Sequence, residues 1–599
     1  MVAYLVNQFP VLKPAHRNIN VLNTAPTITT RHAATASSPL QPGLHPLLER
    51  ILRARGVQSA SELDLGLKHL YPPDTLQGIR PAAYRLADAV QTQQRILIVG
   101  DYDTDGATSS ALAVLVLTQF GAANVDYLVP DRFIHGYGLS PSLVAVTSHK
   151  PPDLLITVDN GTSSIDGVTA ANALGIDVVI TDHHLPGETL PAALAIVNPN
   201  LPDNEFRYKN LAGVGVIYYL LAATRQVLHS RGHFSDITMP NLASVLDLVA
   251  VGTVADLVPL DYNNRLLVTQ GLTKINAGHC RPGITALLEV ANRSQPCTTQ
   301  DIAFAVGPRL NAAGRLDDMS LGIQCLLTDD PAEAQVLARR LEGLNKERRS
   351  RQATMQTQAQ IIADTISRQQ SGLPKAFCLY NPDWHEGLVG LIASRIKDRF
   401  HRPTVAFAKG DSGVLKGSGR SIQGLHLRDL LCAVDRSAPG LISRFGGHAM
   451  AAGLSMPLPG LEQFRTLFNA AVEQAWSTEL DCQVLTTDGN LPADCFTVTF
   501  AEQLRDLAPW GQGFPAPSFE DQFRVIRHRI VGETHLKLVL QHDTSRQQIS
   551  AIYFNALEYF DALPVLYRIR AVYSLVINNF NGRRQPELII QHLQTIIDQ

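Results

Sequence analysis

Asp101, Asp103 and Asp105 occupy alternate positions in the segment Arg95-Ile-Leu-Ile-Val-Gly-Asp-Tyr-Asp-Thr-Asp-Gly106, where a β-branched run gives way to a glycine turn. Side chains two apart in extended chain point the same way. The run therefore projects several carboxylates from one edge of a sheet, a cluster that is unfavourable unless cations neutralise it. An EF-hand loop is excluded by pattern, because its twelfth residue must be Glu and the residue at that place, counted from Asp101, is Leu112. An acidic turn without a ligand is the plain alternative.

Three more motifs of the same character follow. Asp159-Asn-Gly161 comes after Leu154-Leu-Ile-Thr-Val158, Asp182-His183-His184 comes after Val178-Val-Ile-Thr181, and Asp256 closes Val251-Gly-Thr-Val-Ala255, which reads as a further strand end. Singly, each has an ordinary explanation: a good turn, a surface histidine pair, a helix cap. Jointly, hard carboxylate oxygens and imidazoles on neighbouring strand ends suit two divalent ions, Mn2+ or Mg2+, held close together. That arrangement hydrolyses phosphoesters with water and needs no Ser or Cys nucleophile.

Such residues need a scaffold, and the chain from Arg95 to about Val197 supplies one. Short β-branched runs at Ile96–Val99, Val125–Val129, Leu154–Val158, Val178–Thr181 and Ala195–Val197 alternate with helical segments, the first from Ala107 to Phe120 and ended by Gly121. The pattern predicts an α/β fold with a doubly wound parallel sheet. Sites in such sheets lie outside the carboxyl ends of the strands, which is where the acids and histidines fall.

A chain of 599 residues holds roughly three or four domains. No apolar run reaches the roughly 18 residues of a membrane span, so no membrane is expected. Seven scattered cysteines without a CxxC pair suggest neither a disulfide framework nor a zinc module, and fit a reducing cytoplasm. The net charge of -3 gives no global sign of nucleic-acid binding, so any such surface is local. The first 48 residues carry no Asp or Glu and no clear period, and read as a disordered extension.

Asp330 to about Arg368 reads as one long helix, opened by Pro331 and Glu333. Its basic side, with Arg339, Arg340, Lys346, Arg348, Arg349 and Arg351, is a solvated face or the wall of a groove for single-stranded nucleic acid. Lys416-Gly-Ser-Gly-Arg-Ser421 reads as a basic, glycine-rich turn without Walker spacing. Beyond about Thr478, short alternating strands predict a small barrel like an OB fold. Trp510 and Phe514 there either stack bases or pack the domain junction, and packing is expected.

The motifs Gly100-Asp-Tyr-Asp-Thr-Asp-Gly106, Val158-Asp-Asn-Gly161, Asp182-His-His184 and Gly252-Thr-Val-Ala-Asp256 resemble, in type and order, the four motifs of the DHH phosphoesterase superfamily. Pro130-Asp-Arg-Phe-Ile-His-Gly-Tyr-Gly-Leu-Ser140, Gly307-Pro-Arg-Leu-Asn-Ala-Ala-Gly-Arg315 and Gly446-Gly-His-Ala-Met-Ala-Ala-Gly453 resemble its RecJ family of single-strand-specific exonucleases. The likeness runs from about residue 45 to the C-terminus. It leaves the disordered extension at 1–48 unexplained, and implies a DHH phosphoesterase domain at 49–329, a connecting helix at 330–370, an α/β DHHA1 domain at 371–477 and an OB-like barrel at 478–599.

The resemblance also implies roles. Asp159 would bridge two metal ions, with Asp101 and Asp103 on one and Asp105, His183 and Asp256 on the other. His184 would face the scissile phosphate, and Asp182 would orient the histidine pair. Arg132, Arg309, Ser418, Arg420, Gly446, Gly447 and His448 would grip substrate phosphates, with Arg309 and Arg315 alternatively structural salt-bridge partners. The implied activity is 5′ to 3′ hydrolysis of single-stranded DNA to 5′-mononucleotides in repair and recombination. The implied partners are single-stranded DNA, a single-strand-binding protein and a helicase, with the protein itself a monomer. Two rivals are a phosphodiesterase of short oligonucleotides or cyclic dinucleotides, and a non-catalytic binding protein. The C-terminal barrel weighs against the first and the intact acids against the second.

Overall fold

The computed structural model describes residues 26–33, 39–131, 134–369, 373–410, 413–477, 480, 483–545, 547–558, 566–580 and 582–596. After a short strand β1 (Thr27–Thr30), the chain builds a five-stranded sheet from β2 (Ile96–Val99), β3 (Val125–Leu128), β4 (Leu154–Val158), β5 (Asp177–Thr181) and β6 (Ala195–Val197). All pairings are parallel, in the order β3-β2-β4-β5-β6. The period of two along the strands divides the apolar residues between two cores. Ile96, Ile98, Ile156 and Val158 join helices Thr104–Gln119, Gly213–Ser230 and Leu246–Ala255 in one. Val99, Leu155, Val178 and Ile180 join helices Pro141–Val146 and Ile165–Ala173 in the other. The expected doubly wound α/β layer is thus present, and its strand order reverses between β2 and β4.

One expectation fails locally. Val251 to Asp256 is not a strand end: the run belongs to helix Leu246–Ala255, and Asp256 is its C-cap. Leu246 to Val254 are all buried. A helix that is apolar all round shows no period by which it differs from a buried strand.

Helix Pro331–Gln369 spans 39 residues, roughly 58 Å. Ala334, Leu337, Ala338 and Leu341 lie in the core of the first lobe, whereas Met355, Ala359 and Ala363 lie in a core of the second. The second lobe is a sheet of β7 (Phe377–Tyr380), β8 (Thr404–Lys409), β9 (Val414–Arg420), β10 (Arg444–Gly447) and β11 (Ala451–Pro457), ordered β10-β11-β9-β8-β7. The Lys416–Arg420 segment, expected as a turn, is part of strand β9. Its glycines serve packing instead, since a Cβ at Gly417 would lie 2.5 Å from the Phe407 ring.

β12 (Val484–Thr487) leads to a closed barrel of β13 (Phe519–Val531), β14 (His535–His542), β15 (Gln548–Tyr553), β16 (Arg568–Phe580) and β17 (Arg583–Thr595). The order is β13-β14-β15-β17-β16, with β15 and β17 parallel. Part of the segment expected to be disordered belongs here. β1 pairs with β12 in parallel, and Leu47, Leu48 and Ile51 of helix Pro46–Arg53 enter the barrel core. Arg55, its side chain fully buried, clamps both oxygens of Asp488 at 2.8 and 2.9 Å. Four residues, Thr-Ile-Thr-Thr, are too few to show a period, and their partner strand lies near the other end of the chain. Residues 1–25 and 34–38 of that extension lie outside the described residues.

Trp510 and Phe514 stack on each other at 5.4 Å, with Arg55 over the first ring and Arg265 over the second. They pack the junction between barrel and first lobe. Among the described residues no helix is long and apolar enough to cross a membrane.

Candidate metal centre and nucleic-acid cleft

The switch between β2 and β4 opens a crevice at the carboxyl edge of the sheet, where diverging loops leave room for a ligand. Asp101 follows β2 directly and accepts from the Tyr102 N–H at 2.7 Å. Asp103 caps helix Thr104–Gln119, accepting from the Gly106 N–H at 3.0 Å. Asp105 lies in the first turn and is buried. Its two oxygens accept from the N–H groups of Gly213 (2.6 Å) and Val214 (3.0 Å), so a second helix N-terminus fixes it.

Asp159 follows β4 with φ at +64°, a left-handed backbone that Asp tolerates better than most residues. The Asn160 amide beside it donates to the carbonyls of Val99 and Val158, tying β2 to β4. Space around the acids is kept by glycine. A Cβ on Gly213 would lie 2.5 Å from that of Asp159, and one on Gly252 would lie 2.7 Å from Asp105 Oδ1. Asp182 follows β5 and accepts from the N–H groups of Thr162, His183 and His184 and from His184 Nδ1. Asp256 comes from the helix end, where a carboxylate opposes the dipole by roughly 0.3–1 kcal/mol.

These positions gather into two adjoining sets with a third overlapping both. Ligand atoms of Asp101, Asp103 and Asp159 lie within 4.8 Å of one another, as do those of Asp105, His183 and Asp256 and those of Asp159, His183 and His184. Asp159 and His183 join the sets: His183 Nε2 is 3.0 Å from Asp159 Oδ1 and 3.5 Å from Asp256 Oδ2. Both Nε2 and Oδ1 are buried without a hydrogen-bond partner. Two buried acceptors facing each other across a gap fit a cation between them.

The electrostatics agree. Burial, the largest influence, and the Asp103 charge push the Asp105 carboxyl up to about 7. Burial with the charges of Asp105 and Asp103 holds Asp159 and Asp256 well above the usual carboxylate range. Burial and the neighbouring His184 charge bring His183 down to about 3, which keeps it neutral. Burial also works against a charge on His184. The 2.7 Å hydrogen bond to Asp182 and that residue's charge outweigh it and raise His184 to about 9. The same bond and charges drive Asp182 below its ordinary range despite burial. His184 therefore presents Nε2, with the Tyr137 hydroxyl 3.3 Å away.

The second lobe faces this centre. The His448 ring lies parallel to His184 at 6.3 Å, presented by the turn between β10 and β11. Gly446 and Gly447 are in that hairpin, opposite Gly453 and Ala452. Arg420 donates to Ser418 Oγ at 3.0 Å, and a Cβ on Gly390 would lie 2.9 Å from both side chains. Arg420 and Ser418 thus meet over the N-terminal turn of helix Val389–Phe400. Arg315 crosses between the lobes to the Gly387 carbonyl.

Arg309 departs from its expected phosphate contact. It is 5% exposed, pairs with Glu342 at 2.7 Å and donates to the Ala305 carbonyl. Its donors bind the connecting helix to the first lobe, the structural alternative. Arg132 lies outside the described residues. Sequence reasoning missed the Gly213 and Val214 N–H pair, whose signal was the glycine-rich Leu211-Ala-Gly-Val-Gly215. It also missed Asn198 and Asn200, whose amides hold the carbonyls of His184 and His183.

The chain matches the family models of the DHH family, N-terminal domain, over residues 95–253, the DHHA1 domain over 373–474 and the RecJ OB domain over 487–592. It is 48% identical to the single-stranded-DNA-specific exonuclease RecJ of Escherichia coli (strain K12), across 94% of this chain and 98% of that one. Identity to the RecJ of Bacillus subtilis (strain 168) is 33%, across 91% and 67%. The crystal structure of RecJ in complex with Mn2+ from Thermus thermophilus superposes with a TM-score of 0.77 at 28% identity, across 95% of this chain and 80% of that one. With the three domains in the same order and such identity along nearly its whole length, this chain belongs to the RecJ family of the DHH superfamily.

Proposed function

We propose that the protein is a single-strand-specific DNA exonuclease that uses two divalent ions, Mn2+ or Mg2+, and releases 5′-mononucleotides from the 5′ end. The observation that carries this is the pair of adjoining acid and histidine sets facing an arginine-and-serine pocket across one cleft. Asp101, Asp103 and Asp159 would hold one ion, and Asp105, His183 and Asp256, with Asp159 shared, the other. When bound, such ions activate water and stabilise the leaving oxygen.

The chain's own groups set the geometry. Asp182 keeps His184 protonated, so its Nε2–H is available to a phosphate oxygen or the departing 3′ oxygen. Arg420, Ser418 and the N-terminus of helix Val389–Phe400 suit a terminal 5′-phosphate, which supports attack one nucleotide in from that end. His448, Gly446 and Gly447 flank the path between. Single-stranded DNA is the substrate partner we assign. A single-strand-binding protein and a helicase are the protein partners, and the monomer is the working unit. The six described cysteines are free, which supports a reducing cytoplasm. The domain limits 49–329, 330–370, 371–477 and 478–599 are retained as our assignment, with β1 joined to the barrel.

The test is Mn2+-supported cleavage of single-stranded DNA labelled at either end, beside duplex DNA, RNA and dinucleotides. Mononucleotides should leave from the 5′ end, Asp159→Ala should abolish activity, and Arg420→Ala should remove the preference for a 5′-phosphate over a 5′-hydroxyl. Full activity of Asp159→Ala, or cleavage of dinucleotides alone, would overturn the reading.

A further inference from the structure

An apolar cavity of about 250 Å³ opens where the metal-centre helix, a π-helical turn and the segment leading into the barrel meet. One wall is Leu257, the residue after Asp256, with φ at +61° and 64% exposed. Opposite is Phe304, on the π turn Ile302–Val306, 68% exposed. Trp510 and Gln512 close the far side, held by hydrogen bonds from Thr299 Oγ1 to the Trp510 carbonyl (2.6 Å) and from the Leu260 N–H to the Gln512 carbonyl (2.7 Å). The cavity is therefore built by fixed backbone. A phenyl ring and a leucine lie open to solvent at its lip, extending its apolar lining outward.

We infer that this cavity is a base-binding subsite for the single strand, in which one unstacked nucleobase lies against Phe304. The inference rests on the exonuclease reading and goes beyond it by naming a residue that selects unpaired DNA. Two observations favour a base over another occupant. The cavity runs from a residue adjoining a proposed metal ligand to the entry of the barrel, the two places the strand must connect. Its volume falls below the roughly 300–1,000 Å³ of sites for drug-sized ligands, which suits one heterocycle better than a peptide segment. Gln300 offers an amide edge that serves any base, so the subsite reads unpaired state and not sequence. A base held in a duplex has no free face to offer.

The test uses the full chain with Mn2+ and 5′-phosphorylated single strands carrying 2-aminopurine, or an abasic site, at each successive position. In an inactive Asp159→Asn background, one position should show quenched fluorescence that Phe304→Ala releases and Phe304→Trp restores. In the active protein, Phe304→Ala should raise KM about 5- to 150-fold, the range for one lost aromatic–base stack, and change kcat less than threefold. An abasic site at that position should produce the same rise in the unaltered protein and none in Phe304→Ala. Unchanged KM in Phe304→Ala, or an abasic site without effect at every position, overturns the inference. So does a Phe304→Ala variant impaired only in binding a protein partner, which would make the cavity a peptide dock. Activity of the unaltered protein on the same strands checks the exonuclease reading separately.

Discussion

In the metal-free protein, Asp105→Asn should be destabilising near pH 4.5 and stabilising near pH 8. The buried Asp105 carboxyl is lifted from 3.8 to about 7, and each unit is worth about 1.36 kcal/mol, so ionising it costs the folded state about 4 kcal/mol. Between those two values the folded chain holds a proton that the unfolded chain has released. Stability is therefore lost as pH rises through that window and is flat above it. Asparagine cannot ionise, which recovers the 4 kcal/mol. Its amide offers one oxygen where the carboxylate offers two, leaving the N–H of Gly213 or Val214 without an acceptor at roughly 1–3 kcal/mol. The balance near pH 8 is about +1 to +3 kcal/mol for the variant. Near pH 4.5, where the folded parent is protonated, the gain shrinks to about 1 kcal/mol and the lost hydrogen bond prevails. Thermal unfolding in chelator at both pH values reads this directly, with a shift of roughly 1 °C per kcal/mol for a single transition of 599 residues. Saturating Mn2+ should stabilise the parent strongly and the variant little. A variant less stable than its parent at both pH values would refute the claim that these acids are packed against their own repulsion.

Asp182→Asn should move the alkaline limb of the pH–rate profile to lower pH, because His184 loses the hydrogen bond and charge that favour its protonated form; an unmoved limb would remove His184 from proton or charge donation. Arg309→Met should lower stability by roughly 1–3 kcal/mol in denaturant melts by leaving Glu342 with only its longer, 3.7 Å contact to Lys346, with KM for single strands within twofold of the parent. A large rise in KM at unchanged stability would return Arg309 to the substrate. Arg55→Ala should cost a similar amount and split unfolding into two calorimetric transitions as the barrel melts alone; one sharp transition would show that β1 and helix Pro46–Arg53 do not couple it to the rest.

The sheet and the barrel were legible because their signals are local. Alternate burial writes a period of two into the barrel strands, and burial on both faces writes unbroken apolar runs into β2, β4 and β5. Asp101, Asp103, Asp105, Asp159 and the Asp182 to His184 trio were found by polling strand ends, a rule of topology that needs no coordinates. Asp256 was found for a mistaken reason, since the run before it is a buried helix with no period. What stayed hidden was long-range. Nothing near Thr27 indicates a partner at Val484, and nothing in Gly-Pro-Arg tells a substrate arginine from one destined for Glu342. The Gly213 and Val214 donors were invisible because backbone groups carry no letter in a sequence. Only the glycines that let the chain approach leave a trace.

The pairing of β1 with β12 brings the start of the chain onto the domain at its end. The barrel is accordingly moored by two chain segments, one running through helix Pro46–Arg53 to the first lobe and one running back to the second lobe. A domain on one loose tether wanders through a volume set by the tether, at millimolar effective concentration for short flexible links. A second mooring removes most of that freedom. When a nuclease sheds a nucleotide and must take hold of the shortened strand, a barrel that has let go has nowhere to drift, and recapture becomes a unimolecular event at a fixed address.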